Sequence, residues 1–458
     1  MTIPLYANTG YGPHFSVIDI GLKDKVAVID PDTGFWALSE SSSLGDILAG
    51  DFAEKYMDQR QSFAEEMDNF RFNLTPSAVY FNPTEKCNFN CTYCYIPEEI
   101  RRNGVTMTSE EVSRALNVLK EYFGKTLPPK VKPQVIFHGS EPMIARDAVF
   151  RAIEDFRDDF LFGIQTNGIL LDREAVEFLT SRNTGIGLSL DAPVEEVANT
   201  TRKNWSGQGG FRKILEVLEM LREYPAYNVI TTVTRENVHL LPQMVDFFAD
   251  LGVQMVMFNP VRCTQRGGRE LKPEDSIMAE YFCRALDQTR TVRDRKGFKI
   301  VVVNFANVLA GILGPTTRRL MCDISPCGGG RCFFAVSARG DLFPCSEFVG
   351  FPEFRGGNLL KDPVENALKS EPFLKVTNRK VEDIAPCFRC AIKHFCGAPC
   401  PAEVYSLHGK LNAPAPYCKF YEEQVRYAFR VIASGEEKEF LWDGWEEETE
   451  ETFSQILP

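Results

Sequence analysis

The spacing of fourteen cysteines constrains this 458-residue chain more than any other feature. Cys87, Cys91 and Cys94 lie in one short loop, nine more fall between Cys322 and Cys418, and only Cys263 and Cys283 stand apart. A reducing compartment keeps thiols free, so clustered cysteines there point to metal rather than to disulfides. With only five histidines available, that metal sits in sulfur. The longest apolar stretch, Lys299 to Gly314, is broken by Asn304 and Asn307 and is too short for a bilayer. The Met-Thr-Ile-Pro start also lacks a basic region of the signal-peptide kind. A cytoplasmic protein with no membrane partner is expected.

Hydrophobic residues at 44% and charged residues at 25% exclude a disordered, collagen-like or coiled-coil chain. A net charge of -12 has the wrong sign for tracking a phosphate backbone, so nucleic acid is not an expected partner. A basic peptide or a small zwitterionic substrate suits it better. The length predicts one large domain with smaller ones attached.

Short apolar runs alternate with amphipathic ones over residues 77–292, which predicts an α/β fold with six parallel strands. The strands are Ala78 to Thr84, Gln134 to Ser140, Phe162 to Gly168, Gly185 to Asp191, Asn228 to Thr234 and Val253 to Pro260. Between them, Thr108 to Phe123 reads as a helix opened by a capping signal. In such units, the loops at the strand C-termini carry the site. Residues 1–76 read as a small separate α+β module, with strands near Ser16 to Ile20, Val26 to Ile29 and Phe35 to Leu38 and a helical run near Leu44 to Met67. Residues 293–434 read as loop-rich and cysteine-rich, and 435–458 as a solvated acidic tail.

Three thiolates in a loop after the first strand do not close a four-ligand zinc shell, but they do hold a 4Fe-4S cluster with one iron left open. CX3CX2C in this position, with Tyr93 just before the last cysteine, resembles the radical SAM superfamily, which implies a partial (β/α)6 TIM-type barrel. Structural zinc is the alternative reading. The resemblance carries further residues. Gly139, Ser140 and Glu141 end strand two, similar to the family's Gly-Gly-Glu-Pro turn that holds the S-adenosylmethionine amino group, with Ser140 in place of the second Gly. Thr166 and Asn167 end strand three, and Ser189 and Asp191 end strand four, with Arg202 beyond. The resemblance implies that Ser189 and Arg202 grip the cofactor's carboxylate, as a hydroxyl donor and a forked cation do well. Ala192 stands where a Gly is usual.

The later cysteines, Cys327, Cys345, Cys387, Cys390, Cys396, Cys400 and Cys418, match the seven-cysteine SPASM pattern, and the resemblance extends from Ala78 to Phe420. It implies two auxiliary 4Fe-4S clusters, one held by Cys322, Cys327, Cys345 and Cys400 and an outer one held by Cys387, Cys390, Cys396 and Cys418. A pair of structural zincs is the rival. Cys332 competes with Cys322 for the eighth place.

The implied activity is a radical SAM peptide maturase. S-adenosylmethionine is cleaved to a 5'-deoxyadenosyl radical, which takes hydrogen from a ribosomally made precursor peptide so that a thioether or other side-chain crosslink forms. A flavodoxin- or ferredoxin-type protein would donate the electron, and residues 1–76 would recognise the leader peptide or cap the barrel. Formylglycine formation on a sulfatase is the nearest alternative, although Ser346 and Glu347 follow Cys345 where that branch carries Asp. An epimerase using the Cys263 thiol and a non-catalytic peptide-binding scaffold are the others.

Overall fold

The computed structural model describes residues 15–314 and 317–445. Among these residues, thirteen strands form two sheets. The first is an antiparallel meander of β1 (Ser16–Leu22), β2 (Lys25–Ile29) and β3 (Trp36–Glu40). Gly34 closes the β2–β3 turn at φ +70°, where its N–H reaches the Asp30 carbonyl at 2.9 Å; a left-handed residue there favours glycine. Helix α1 (Asp51–Phe72) follows, and its Tyr56 and Arg60 both donate to the buried Asp30 carboxylate, at 2.6 and 2.7 Å.

The second sheet is built on six parallel strands, β4 (Ala78–Phe81), β5 (Gln134–Phe137), β6 (Leu161–Thr166), β7 (Gly185–Ser189), β8 (Tyr227–Val233) and β9 (Met255–Pro260). These are the six expected strands. Most end earlier than expected, because the last residues of each motif belong to the following turn. Helix α2 (Ser109–Thr126) opens with the expected capping box: Glu111 N–H donates to the Thr108 hydroxyl at 3.2 Å, while Thr108 N–H donates to the Glu111 carboxylate at 2.8 Å. Its face of Val112, Leu116 and Leu119 is fully buried.

Two additions extend the sheet beyond the six strands. β10 (Val301–Val302) pairs parallel with β9, and β11 (Phe333–Val336) pairs parallel with β4, followed by antiparallel β12 (Asp341–Phe343) and β13 (Gly357–Asn358). The chain beyond residue 292 therefore continues the barrel sheet on both sides. The apolar stretch at Lys299 forms β10 and a buried helix, α3 (Val303–Leu313). No described helix is long and apolar enough to cross a membrane.

Three sequence expectations change here. Residues 15–76 are not a detached module: Ile18, Ile20, Ala27 and Ile29 lie in the same core as the barrel residues. The region expected to be loop-rich contains the long helix α4 (Cys418–Ser434), which covers the outer edge of β1, with Arg426 and Arg430 donating to the Asp19 and Ile20 carbonyls. The expected solvated tail, residues 435–458, includes buried Phe440, Leu441 and Trp442, and from residue 446 it lies outside the described residues. Residues 1–14 lie outside them as well.

Candidate active site

The loop after β4 is shaped by its backbone before any sulfur bond is considered. Cys87 N–H donates to the Arg101 carbonyl at 3.0 Å, Thr92 N–H to the Thr201 carbonyl at 3.0 Å, and the Trp205 indole N–H to the Cys87 carbonyl at 2.7 Å. Buried Arg101 crosses beneath, reaching the Ile96 carbonyl at 2.9 Å and the Asn90 side chain at 2.9 Å. Phe89 N–H points at the Cys87 sulfur at 3.4 Å, and the Asn167 amide lies 3.9 Å from it. Such donors favour a thiolate. Burial is the main cause that carries the Cys87 thiol up to about 12 and Cys91 to about 11; the Glu141 carboxylate and the neighbouring thiols add to the rise at Cys87, while the Arg202 cation opposes it at Cys91. Three thiols gathered in one loop and raised in this way ionise readily only against added cationic charge, which is what iron supplies.

The β5 turn adds a backbone surface. Gly139 has φ +103°, and a Cβ there would sit 2.5 Å from Asn82 Cγ, so glycine is required. Ser140, the departure from the family turn, is accommodated because its hydroxyl turns back to the Glu85 carbonyl at 2.6 Å. Glu141 was expected among the cofactor contacts, but it is fully buried away from the cavity. Its carboxylate accepts from the Thr166 hydroxyl at 2.7 Å, from Asn167 N–H at 2.8 Å and from Met143 N–H at 3.1 Å. Asp191 behaves alike, accepting from the Tyr93 hydroxyl at 2.5 Å and from Thr232 N–H at 2.9 Å. Arg202 then donates to Tyr93 at 2.7 Å. Both acids brace neighbours that face the cavity and do not face it themselves.

One cavity of about 390 Å³ at the C-terminal ends of the parallel strands gathers the remaining residues. Cys87, Cys91, Cys94 and Tyr93 line it, as do Gly139, Ser140, Thr166, Asn167, Ser189 and Arg202. Cys322, Cys327, Cys345 and Cys400 line the same cavity. Cys332 is elsewhere: it begins the approach to β11, packed with Ala78 and Phe333. Cys387, Cys390, Cys396 and Cys418 form a separate group away from the cavity, close enough that Cys396 feels the charge of the other three. Among the described residues, no group of three or more His, Cys, Asp or Glu is arranged to hold a single metal ion. Cys263 does not line the cavity. It is buried, with its N–H on the Glu403 carboxylate at 2.7 Å.

Sequence reasoning missed Arg101 and Trp205, which hold the cysteine loop, and Tyr95, His138 and Arg262, which line the cavity. His138 directly precedes the Gly139 turn and was the one with a usable signal; burial lowers it to about 4, leaving it neutral.

Residues 81–248 match the Radical SAM superfamily, and residues 327–391 match SPASM, an iron-sulfur cluster-binding domain. The chain belongs to the radical SAM superfamily and carries a SPASM domain; it is an enzyme of the class that uses S-adenosylmethionine with a 4Fe-4S cluster and binds auxiliary iron-sulfur clusters. It is 40% identical over 424 residues to an uncharacterized protein of Archaeoglobus fulgidus, spanning 92% of this chain and 96% of that one. A serine-type anaerobic sulfatase-maturating enzyme of Bacteroides thetaiotaomicron is 24% identical over 74% of this chain and 86% of its own length. A PqqA peptide cyclase of Rhodopseudomonas palustris is 25% identical over 80% and 93%. The fold is shared with native anSMEcpe with bound AdoMet, at a TM-score of 0.68 and 20% identity over 79% of this chain and all of that one. It is shared also with Streptococcus suis SuiB bound to precursor peptide SuiA, at 0.59 and 13% over 87% and 99%.

Proposed function

We propose that the enzyme removes hydrogen from a side chain of a ribosomally made precursor peptide and closes a thioether or another side-chain crosslink. The observation carrying this reading is that one cavity is lined both by Cys87, Cys91 and Cys94 and by Cys322, Cys327, Cys345 and Cys400. A peptide carbon seated between them faces the radical site and an electron sink together, as the net loss of two hydrogens requires. Bound S-adenosylmethionine and the reduced cluster supply the one-electron chemistry that breaks an unactivated C–H bond. The chain's own residues position and exclude. Cys322, not Cys332, is the proposed eighth auxiliary ligand, because only Cys322 lies on the wall with its three companions. Backbone groups at Gly139 and Ser140 receive the cofactor's amino group, and Ser189 and Arg202 receive its carboxylate. Asp191 and Tyr93 fix the Arg202 fork by holding one of its faces. A flavodoxin- or ferredoxin-type donor is the proposed reductant.

A peptide substrate draws support from the PqqA cyclase relative and from SuiB. Co-expression with the small open reading frame next to the gene, followed by mass spectrometry, tests the reading: loss of about two hydrogens' mass is expected, and an unaltered peptide sinks it. The sulfatase-maturating relatives favour a second reading, oxidation of Cys or Ser to formylglycine. A sulfatase-derived peptide converted to an aldehyde selects that reading instead. A scaffold without catalysis releases no 5'-deoxyadenosine from S-adenosylmethionine. Leader recognition by residues 1–76 remains the proposed role of the first sheet, with β3 as its outer strand, since α4 covers β1.

Arg202→Ala is expected to raise the dissociation constant for S-adenosylmethionine by about tenfold to a hundredfold, the worth of one charge-assisted pair, with iron content unchanged. Isothermal titration of the reconstituted protein checks it. Unchanged affinity moves the carboxylate contact to another residue.

A further inference from the structure

The two groups of auxiliary cysteines meet at one buried arginine. Arg379 follows the short helix Glu371–Thr377 and is only 2% exposed. Its Nε donates to the Leu411 carbonyl at 2.9 Å and its Nη1 to the Pro326 carbonyl at 3.3 Å. Pro326 is the chain neighbour of Cys327, and Leu411 packs against the same apolar cluster as Cys345 and Cys400. On the other side, Val381, just beyond Arg379 in the chain, packs with Ala398 and Cys387. The junction is tight: Gly397, between Cys396 and Cys400, lies so close to the Ser325–Pro326 backbone that a Cβ would come 2.9 Å from Ser325 Cα.

This arginine keeps a donor in reserve. Among the described residues, its Nη2 is buried without an acceptor, and no carboxylate pairs with its charge. Arg331, the other arginine beside Cys327, is different: its Nε and Nη2 rest on the Cys327 carbonyl and its Nη1 on the Arg71 carbonyl. A buried cation with an open donor and no acid beside it requires a compensating anion. Burial pulls the Arg379 guanidinium down, and the charges that oppose this are those of Cys327 and Cys400, then of Cys387 and Cys396, a pair from each group. Four thiolates leave a 4Fe-4S cluster with net negative charge, and an added electron makes it more so. Hydrogen bonds to its sulfurs and the charge around it therefore set its potential.

We propose that Arg379 is the fixed cation of the electron sink: its open N–H donates to a sulfur where the two auxiliary clusters meet, and its charge raises their potentials so that they accept an electron released by the substrate. The inference rests on the assignment of Cys322, Cys327, Cys345 and Cys400 to one cluster and of Cys387, Cys390, Cys396 and Cys418 to the other, which iron analysis reads separately. Arg379→Gln removes the charge and keeps an amide donor for the backbone carbonyls. In the reconstituted holoenzyme this variant is expected to keep its iron and to release 5'-deoxyadenosine at the unaltered rate. Redox titration followed by electron paramagnetic resonance is expected to find an auxiliary potential lower by about 59 mV, a tenfold change in the reduced-to-oxidised ratio for one electron. Arg379→Lys, which keeps the charge, is expected to show a smaller fall. Should Arg379→Gln take up no auxiliary iron, the unaltered enzyme grown on isotopically labelled arginine gives the reading, since a reduced auxiliary cluster is expected to show magnetic coupling to an arginine nitrogen. Auxiliary potentials unchanged with iron in place, equal falls in both variants, or no arginine nitrogen coupled to either auxiliary cluster would each overturn the proposal alone. A full chain that holds only the iron of the radical site would overturn the cluster assignment and the proposal with it.

Discussion

Replacing Cys87, Cys91 and Cys94 together with alanine is expected to leave a folded chain that holds roughly eight irons in place of roughly twelve and cleaves no S-adenosylmethionine. The loop survives because its shape does not depend on sulfur. Its backbone is tied to Arg101, Thr201 and Lys203, and its Cys87 carbonyl to the Trp205 indole, all through bonds that alanine keeps. The substitution also removes three half-buried thiols whose ionisation burial opposes, and at sulfur the apo loop gives up only the weak Phe89 N–H and Asn167 amide contacts to Cys87. The other iron stays because the auxiliary cysteines come from different segments, Cys322, Cys327, Cys345 and Cys400 at the cavity and Cys387, Cys390, Cys396 and Cys418 in a separate group. Anaerobic iron and sulfide analysis with a 5'-deoxyadenosine assay checks both halves. Retained cleavage sinks the assignment of the radical site; loss of all iron means that the three sites are not independent.

The motifs were legible in the sequence, while the direction each side chain faces was not. Gly139 could be read as a turn residue, but the strand was carried to Ser140, past the point where φ +103° has already ended it at Phe137. Glu141 and Asp191 stand in motif positions, and a linear pattern does not reveal that each carboxylate points beneath the turn, where three and two donors respectively hold it. Cys322 and Cys332 lie equally far from Cys327 in the sequence, so spacing has no means of choosing between them. A short helical turn at Met321–Asp323 brings the first to the cavity wall, and the start of β11 carries the second to the base. Helix α4 was missed because the glycines, prolines and cysteines before it set the character of the whole region, although its own residues repeat at helical spacing. The unity of the core was also hidden, since the β1 to β3 meander has the pattern of a free-standing sheet and only its neighbours reveal otherwise.

That unity carries the second large prediction: a chain beginning at Ser77 is expected not to accumulate as soluble, iron-loaded protein. Removing the meander and α1 strips Ile18, Ile20, Ala27 and Ile29 from the common core. Each large apolar side chain is worth about 1.5–3 kcal/mol buried, so the three isoleucines alone approach the ~5–15 kcal/mol by which a typical domain is stable. The polar losses add to this. Lys393, only 4% exposed, loses its Asp32 partner at 2.8 Å, and a buried charge left unpaired costs about 3–5 kcal/mol. Glu382 loses the two-pronged contact from Arg71 at 2.8 and 2.9 Å, the Ile312 carbonyl loses the Trp36 indole, and Arg426 and Arg430 lose their β1 carbonyls. Lys393 and His394, both in contact with Asp32, sit in the cysteine-bearing segment between Cys387 and Cys396, so the outer cluster site loses part of its support as well. The measurement is the soluble fraction and iron content of the shortened chain beside the full one, prepared anaerobically. A soluble chain from Ser77 with full iron that cleaves S-adenosylmethionine would show that the first sheet is detachable, and would leave leader docking as its remaining role. Failure to accumulate means that the sheet is part of the barrel's floor, and any leader it binds is then held by a surface the enzyme cannot fold without.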